Sequence, residues 1–270
     1  RSRVVTGVQT CALPIYLLEK ASGYPFIRME MGVPGLSPSR IGTEAEIEAL
    51  KLGVAQFYPM LEGHPSLSEE AARFIQNFMD IRIQPAHIIP TVGAMQASYT
   101  AFMALTECQE GKNTVLFIDP GFSVQKTQLE VIGKPYETFD IFEFRGKKLR
   151  AKLEEYLKKG NICAIVYSNP NNPAWICLNE EELQIIGELA NQYDIIILED
   201  LAYFAMDFRK DLSHPGVPPF QPTVAKYTDN YILMISSSKL FSYAGQRLGL
   251  LCVSDTLYPK KYPQDRKSVV

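Results

Sequence analysis

A run of hydroxyl and cationic side chains late in the sequence has the chemistry of an anion site. Residues 236–238 are all serine, they directly precede Lys239, and Arg247 follows after a short gap. Hydroxyl groups and two cations can hold a phosphate through charge-assisted hydrogen bonds. Residues 93–95, Gly-Ala-Met, open a predicted helix whose N-terminal N–H groups offer another anion site. These residues predict phosphate binding.

Three further side chains suit an aromatic ring attached to that phosphate. Asp200 ends an apolar run, and a carboxylate buried there needs a positive partner, such as a protonated heterocyclic nitrogen. Phe122 offers a flat apolar face for a ring. Lys239, beside the predicted phosphate site, could form a Schiff base with an aldehyde. Together these residues predict a site for a phosphorylated pyridine aldehyde.

Alternating strands and helices must bring these residues together. Apolar runs predict strands over 114–119, 136–141, 161–167, 194–200, 231–236 and 248–254. Helical spacing of apolar residues predicts helices over 44–54, 67–79, 93–107, 123–132, 147–159 and 180–193. This order predicts an α/β domain with a mainly parallel sheet. Ligands of such sheets bind at the carboxyl ends of the strands, which is where most of the candidate residues fall.

The motifs after these strands resemble those of fold-type I pyridoxal-5′-phosphate (PLP) enzymes of the class I/II aminotransferase family. They are Asp-Pro-Gly-Phe at 119–122, Asn-Pro-Asn-Asn-Pro at 169–173, Glu-Asp-Leu-Ala-Tyr at 199–203 and Ser-Ser-Ser-Lys at 236–239. The resemblance extends from Met31 to Arg247. It implies a PLP-dependent transferase large domain, a three-layer α/β/α structure with a mainly parallel mixed sheet. The family's C-terminal small domain, with its substrate-binding arginine, is expected to be missing.

The resemblance also implies a role for each matching residue. Lys239 would carry the covalently bonded cofactor, Asp200 would pair with the pyridine nitrogen, and Tyr203 would complete the catalytic set. The residues expected to bind pyridoxal 5′-phosphate are Gly93, Ala94, Met95, Phe122, Asn172, Asp200, Tyr203, Ser236, Ser238, Lys239 and Arg247. No metal is expected.

Substrate contacts and assembly are implied in the same way. Gly32 matches a glycine near the substrate carboxylate, and Asn172 is expected to contact substrate as well as cofactor. Tyr58 matches a tyrosine that reaches the neighbouring subunit's site, which implies a homodimer. The substrates implied are amino acids and 2-keto acids.

One loop departs from the family pattern. The usual Asn-Pro-Thr-Gly reads Asn172-Pro173-Ala174-Trp175 in this sequence. The asparagine is kept, so its contact with the cofactor is expected to remain. Trp175 is expected either near the substrate, at an interface, or packed within the fold.

The function favoured by the resemblance is amino transfer from an amino acid to a 2-keto acid through a Schiff base on Lys239. The same scaffold could instead support another PLP reaction, namely β-elimination, decarboxylation or cyclopropane formation. Lys239 and Asp200 would serve all of these reactions. A non-catalytic PLP-binding regulator is a further alternative.

Composition limits the partners. The 270 residues carry a net charge of −3 and have a pI of about 5.8, which gives no electrostatic reason to expect nucleic acid or an anionic membrane. No apolar run is long enough to span a bilayer. The five cysteines are scattered without a CxxC pair, which predicts reduced, buried thiols and a cytoplasmic protein.

The two ends of the sequence resemble sequencing-adapter DNA. Codons for Ala12–Ile15 can be written GCTCTTCCGATC and those for Asp265–Ser268 GATCGGAAGAGC, which are reverse complements. We therefore expect residues 1–16 and 265–270 to be adapter-derived, so that the sequence is a fragment. Residues 17–60 are expected to lead into the large domain, and 61–264 to form the PLP-binding large domain.

Overall fold

The computed structural model describes residues 7–27, 32, 34–60 and 62–260. The chain divides into two units, Arg1–Ser37 and Pro38–Val270. The first unit contains helix α1, Gly7–Ser22, which has Pro14 inside it and which the sequence pattern did not predict. Part of the predicted adapter-derived segments, residues 1–6 and 265–270, lies outside the described residues.

The second unit alternates strands and helices along most of its length. Its helices are α2 (Arg40–Lys51), α3 (Pro65–Met79), α4 (Gly93–Leu105), α5 (Ser123–Val131), α6 (Lys148–Leu157), α7 (Glu180–Tyr193) and α8 (Ser237–Leu240). Its strands are β1 (Ile88–Val92), β2 (Thr114–Asp119), β3 (Tyr136–Asp140), β4 (Ile162–Ser168), β5 (Ile196–Leu201), β6 (Tyr231–Ser236) and β7 (Leu248–Val253). Short 3-10 helices span Val54–Gln56, Pro85–His87, Phe142–Phe144, Val224–Lys226 and Ala244–Gln246.

The strands form one mixed, mainly parallel sheet in the order β1-β7-β6-β5-β4-β2-β3. Strands β3, β2, β4, β5 and β6 run parallel to one another, whereas β7 pairs antiparallel with both β6 and β1. The predicted α/β class and mainly parallel sheet are confirmed. All residues of β4, β5 and β6 are buried, as expected for parallel strands covered on both faces.

Helices cover the sheet on both sides. Alternate strand residues face opposite ways, so Val115 and Phe117 join a core with α4 and α5, while Leu116 and Ile118 join a core with α3, α6 and α7. Each layer therefore buries one apolar helix face against the sheet. The arrangement is the predicted three-layer α/β/α structure.

Two elements differ from the sequence prediction. Strand β1 was not predicted, because its sequence, Ile-Ile-Pro-Thr-Val, carries Pro90. Proline is tolerated here because β1 is an edge strand, with β7 as its neighbour among the described strands. Helix α2 was predicted at 44–54, but it ends at Lys51, shortly before Gly53 adopts a left-handed backbone with φ 84°.

Candidate active site

The predicted residues converge at one edge of the sheet. In the parallel register Ser168 lies beside Asp200, and Leu201 lies beside Ile235, the residue before Ser236. The carboxyl ends of β4, β5 and β6 therefore meet at the same level. This register brings the Asn-Pro, Asp200 and Ser-Ser-Ser-Lys motifs together, as parallel strands require.

Asp200 is a buried carboxylate held by two neutral donors. Its side chain belongs to a residue only 4% exposed, and it accepts hydrogen bonds from Gln125 Nε2 at 2.8 Å and from the Ala202 N–H at 3.0 Å. Burial raises the pKa of Asp200 to about 6, and both hydrogen bonds oppose that rise. Among the described residues, both of these donors are neutral. A protonated ring nitrogen would supply the positive charge that such a group needs.

Gln125 was not predicted from the sequence. It lies in the first turn of α5, three residues after Phe122, and its side chain is buried. Its place three residues after Phe122, the predicted ring face, is the signal that could have pointed to it. That signal does not indicate a hydrogen bond to a carboxylate 75 residues away.

Lys239 lies in α8, directly after the carboxyl end of β6. Its Nζ atom is 6.0 Å from the centroid of the Tyr203 ring. Burial, followed by the positive charge of Arg247, lowers the pKa of Lys239, which favours the neutral, nucleophilic amine. Burial, followed by the charge of Asp200, raises the pKa of Tyr203, so its hydroxyl keeps its proton. The structure thus groups these three predicted catalytic residues.

An anion cradle lies between the start of α4 and the end of β6. Gly93 has φ 70°, and a Cβ atom placed there would stand 2.2 Å from Arg247 Nη2, so the guanidinium packs directly against the glycine backbone. Arg247 itself has a left-handed backbone, with φ 58°, and its Nη1 atom donates to the Ala244 carbonyl at 2.8 Å. The hydroxyls of Ser236 and Ser238 are 2.9 Å apart. Two hydroxyls, a guanidinium and a helix N-terminus suit a phosphate.

Ala94 and Met95 form the first turn of α4 directly after this glycine. Their N–H groups belong to the unsatisfied donors that every helix has at its start. Gln128 Nε2 fixes the turn by donating to the Met95 carbonyl at 2.9 Å. The structure therefore places both residues where the phosphate prediction needs them.

Two loops join Phe122 and Asn172 to the same edge. Phe122 is half-buried at the start of α5. The Asn172 N–H donates to Ser168 Oγ at 3.2 Å, and Asn171 Nδ2 donates to the Pro120 carbonyl at 2.6 Å. That second hydrogen bond ties the loop after β4 to the loop after β2. The predicted ring face and the predicted amide ligand are therefore carried by connected loops.

The structure does not bring every predicted residue to this edge. The side chain of Tyr58 is fully exposed in the segment after α2. Its predicted role in a neighbouring subunit stays a prediction. Gly32 lies in the first unit, and its contact with substrate likewise stays a prediction.

Trp175 lies at the rim of the candidate site. It has φ 56°, an uncommon backbone for a residue other than glycine, and its side chain is partly exposed. Its ring meets the Tyr203 ring edge-on with centroids 5.6 Å apart, and it stacks on Phe208 at 6.1 Å and 19°. Of the positions left open by the sequence, the structure favours one beside the reacting groups.

These residues fit pyridoxal 5′-phosphate. The buried Asp200 accepts hydrogen bonds from the neutral donors of Gln125 and Ala202, and its charge suits a pyridinium nitrogen. The cradle at Gly93 and Arg247 suits the phosphate. Lys239 suits the aldehyde, because its pKa is lowered and its Nζ atom lies 6.0 Å from the centroid of the Tyr203 ring. Among the residues that the structure describes, no group of three or more His, Cys, Asp or Glu side chains could hold a metal. Across the same residues, no helix is both long and apolar enough for a membrane span.

Comparison with known proteins agrees with this geometry. Residues 27–262 match the family model described as "Aminotransferase class I and II". The chain is 29% identical over 241 residues to an aspartate aminotransferase of Pyrococcus horikoshii, an overlap of 87% of this chain and 58% of that protein. It is 28% identical over 248 residues to nicotianamine aminotransferase 1 of Oryza sativa subsp. japonica, covering 90% of this chain and 48% of that protein.

Solved structures show the same fold. An alanine aminotransferase from Pyrococcus furiosus superposes with a TM-score of 0.75 at 24% identity, covering 93% of this chain and 61% of that one. The chain therefore spans only part of the length of each of these relatives.

Proposed function

Because this chain belongs to the aminotransferase class I and II family, we propose that the whole protein is a PLP-dependent aminotransferase. It moves an amino group from an amino acid to a 2-keto acid, with Lys239 as the residue that bonds the cofactor. The observation that carries this proposal is Asp200, buried between two neutral donors at the sheet edge that also holds Lys239.

When bound, PLP supplies an aldehyde that bonds amines and a ring that accepts electrons. Asp200 holds a proton on the pyridine nitrogen and so maintains that electron demand. The Lys239 amine, whose pKa is lowered by burial and by Arg247, moves the proton at the substrate Cα as general acid and base. Tyr203 and Asn172 would bind the ring oxygen of the cofactor and so help to position it. Gly93, Arg247 and the two serines anchor the phosphate.

The assembly and location proposed for the protein rest on less direct support. We propose a homodimer in which Tyr58 reaches the partner's site, which is compatible with its full exposure. We also propose a cytoplasmic location, supported by the buried, free thiols of Cys163 and Cys252.

The covalent role of Lys239 can be tested with the full-length protein. After reduction with borohydride, mass spectrometry should find the cofactor on the peptide that contains Lys239 and not in Lys239→Ala. Turnover of an amino acid with a 2-keto acid should fall by at least about a hundredfold in that variant, because the acid–base group is lost. Lys148→Ala, at an exposed lysine of α6, is the matched control. Attachment of the cofactor to another lysine in the wild type would overturn the assignment.

The role of Asp200 is separable from covalent attachment. Asp200→Ala should still form the borohydride-stable adduct, but its turnover should fall by about a hundredfold or more, on the scale of other electrostatic catalytic groups. Normal turnover in Asp200→Ala would refute the pairing with the pyridine nitrogen.

A further inference from the structure

An aromatic wall borders the candidate site on the side of Tyr203. We define this wall as Trp175, Tyr203 and Phe208. Trp175 lies between the other two, meeting Tyr203 at an interplanar angle of 77° and Phe208 at 19°. The ring of Phe208 is 80% exposed and that of Trp175 is 43% exposed. The wall therefore leaves apolar ring surface of Trp175 and Phe208 accessible beside the site.

The loop after β4 holds Trp175 in an unusual conformation. Its N–H donates to the Asn171 carbonyl at 3.1 Å, and the Asn171 N–H donates to the Ile176 carbonyl at 2.9 Å, which closes a tight turn around it. The turn gives Trp175 its φ of 56°. A bulky residue seldom adopts this region, and such residues concentrate at ligand-binding sites.

The wall lies next to the reacting groups. Tyr203, which Trp175 contacts, is the ring that stands 6.0 Å from Lys239 Nζ. A substrate bound beside Lys239 would therefore lie near the Tyr203 ring, and its side chain could meet the exposed rings of Trp175 and Phe208.

The cation that follows Phe208 in the sequence is already paired. Arg209 is bound by the buried carboxylate of Asp207, with Nε–Oδ1 and Nη2–Oδ2 distances of 2.7 and 2.8 Å. This pair raises the pKa of Arg209 and neutralises it locally. A substrate carboxylate needs a guanidinium with donors to spare, whereas an aromatic substrate gains from ring edges and faces.

We propose that Trp175 and Phe208 select amino-acid substrates with an aromatic or large apolar side chain over those with an acidic one. This inference rests on the proposed aminotransferase function and adds its substrate class. It differs from the aspartate named for the Pyrococcus horikoshii relative.

The first test compares two substrates in the full-length holoenzyme. The kcat/KM for phenylalanine should exceed that for aspartate by at least about tenfold, the scale on which an apolar pocket discriminates. In Trp175→Gly and Phe208→Ala that ratio should fall several-fold or more. Glycine suits the left-handed backbone at 175, so the fold should survive the substitution. Phe142→Ala, an exposed aromatic residue after the edge strand β3, should leave the ratio unchanged.

A second test does not depend on turnover. Trp175 is the only tryptophan in the 270 residues. The fluorescence difference between wild type and Trp175→Phe should therefore report on the wall. Addition of 3-phenylpropionate, an unreactive aromatic acid, should change that difference signal, and succinate at the same concentration should not.

The outcomes separate this inference from the function beneath it. If amino transfer occurs but aspartate is preferred, or if Trp175→Gly lowers both substrates equally, the wall does not select and the inference fails while the aminotransferase stands. If neither these amino acids nor any other exchanges an amino group with the bound cofactor, the proposed function itself fails.

Discussion

The hydrogen bond from Gln125 to Asp200 should set the protonation state on which the chemistry depends. Burial has moved the pKa of Asp200 from its ordinary 3.8 to about 6. That rise of roughly two units means that ionising the buried group costs about 3 kcal/mol. A hydrogen bond to a charged acceptor contributes about 1.5–3 kcal/mol, equivalent to about one or two pKa units. In Gln125→Leu we therefore expect the pKa of Asp200 to rise from about 6 to between about 7 and 8.

The shift can be measured directly by carbon-13 NMR titration of side-chain carboxyls in the cofactor-free protein, with Asp200→Asn assigning the resonance. At pH 7 a smaller fraction of the variant carries the charged carboxylate, so PLP should bind about two- to tenfold more weakly. Gln128→Leu is the control for the titration alone, because Gln128 is buried in the same helix but bonds Ser98 and Met95 instead. An unchanged titration in Gln125→Leu would refute the role assigned to this hydrogen bond.

Three more substitutions follow from the contacts. Gly93→Ala should weaken PLP binding at least about tenfold, because a Cβ 2.2 Å from Nη2 must displace the Arg247 guanidinium; equal affinity, measured by absorbance titration, would contradict the cradle. Burial raises the pKa of Glu199 to about 7 from its ordinary 4.5, so its stabilising contribution is present below pH 4.5 and is lost as the pH rises through 7. Glu199→Gln should remove about 3 kcal/mol of pH dependence from urea unfolding measured across that window, and an unaltered dependence would exclude Glu199 as its source. Arg145→Met should lower the free energy of unfolding by about 3 kcal/mol, because it leaves the fully buried carboxylate of Glu182 without its cation, and a loss below about 0.5 kcal/mol would contradict that reasoning.

The sheet and the motifs at its edge could be predicted because each depends on residues that are close together in the sequence. Buried parallel strands read as continuous apolar runs, and the residue that ends each run is fixed at the sheet edge by register. Asp200 and Lys239 could therefore be placed without any knowledge of long-range contacts. The offset of α2 and the absence of β1 from the prediction have local causes too, in Gly53 and Pro90.

Contacts between distant segments could not be predicted in this way. Gln125 donates to Asp200 across 75 residues of sequence, and nothing in its own sequence neighbourhood specifies a carboxylate partner. Trp175 presents the same difficulty. Its sequence showed a departure from the family loop, but its position against Tyr203 and Phe208 depends on how two separate loops fold.

Residues at strand ends and residues in loops would determine different properties of the enzyme, the first its reaction and the second its substrate. The groups that would hold the cofactor follow strands whose register and burial leave little freedom, so their geometry tolerates few sequences. Trp175 and Phe208 lie instead in the loops after β4 and β5. Their side chains are exposed, so they can change without disturbing the core. Relatives named for aspartate and for nicotianamine match this chain at nearly equal identity. Overall identity therefore carries little information about substrate, and the identity of the few loop residues beside Tyr203 carries more.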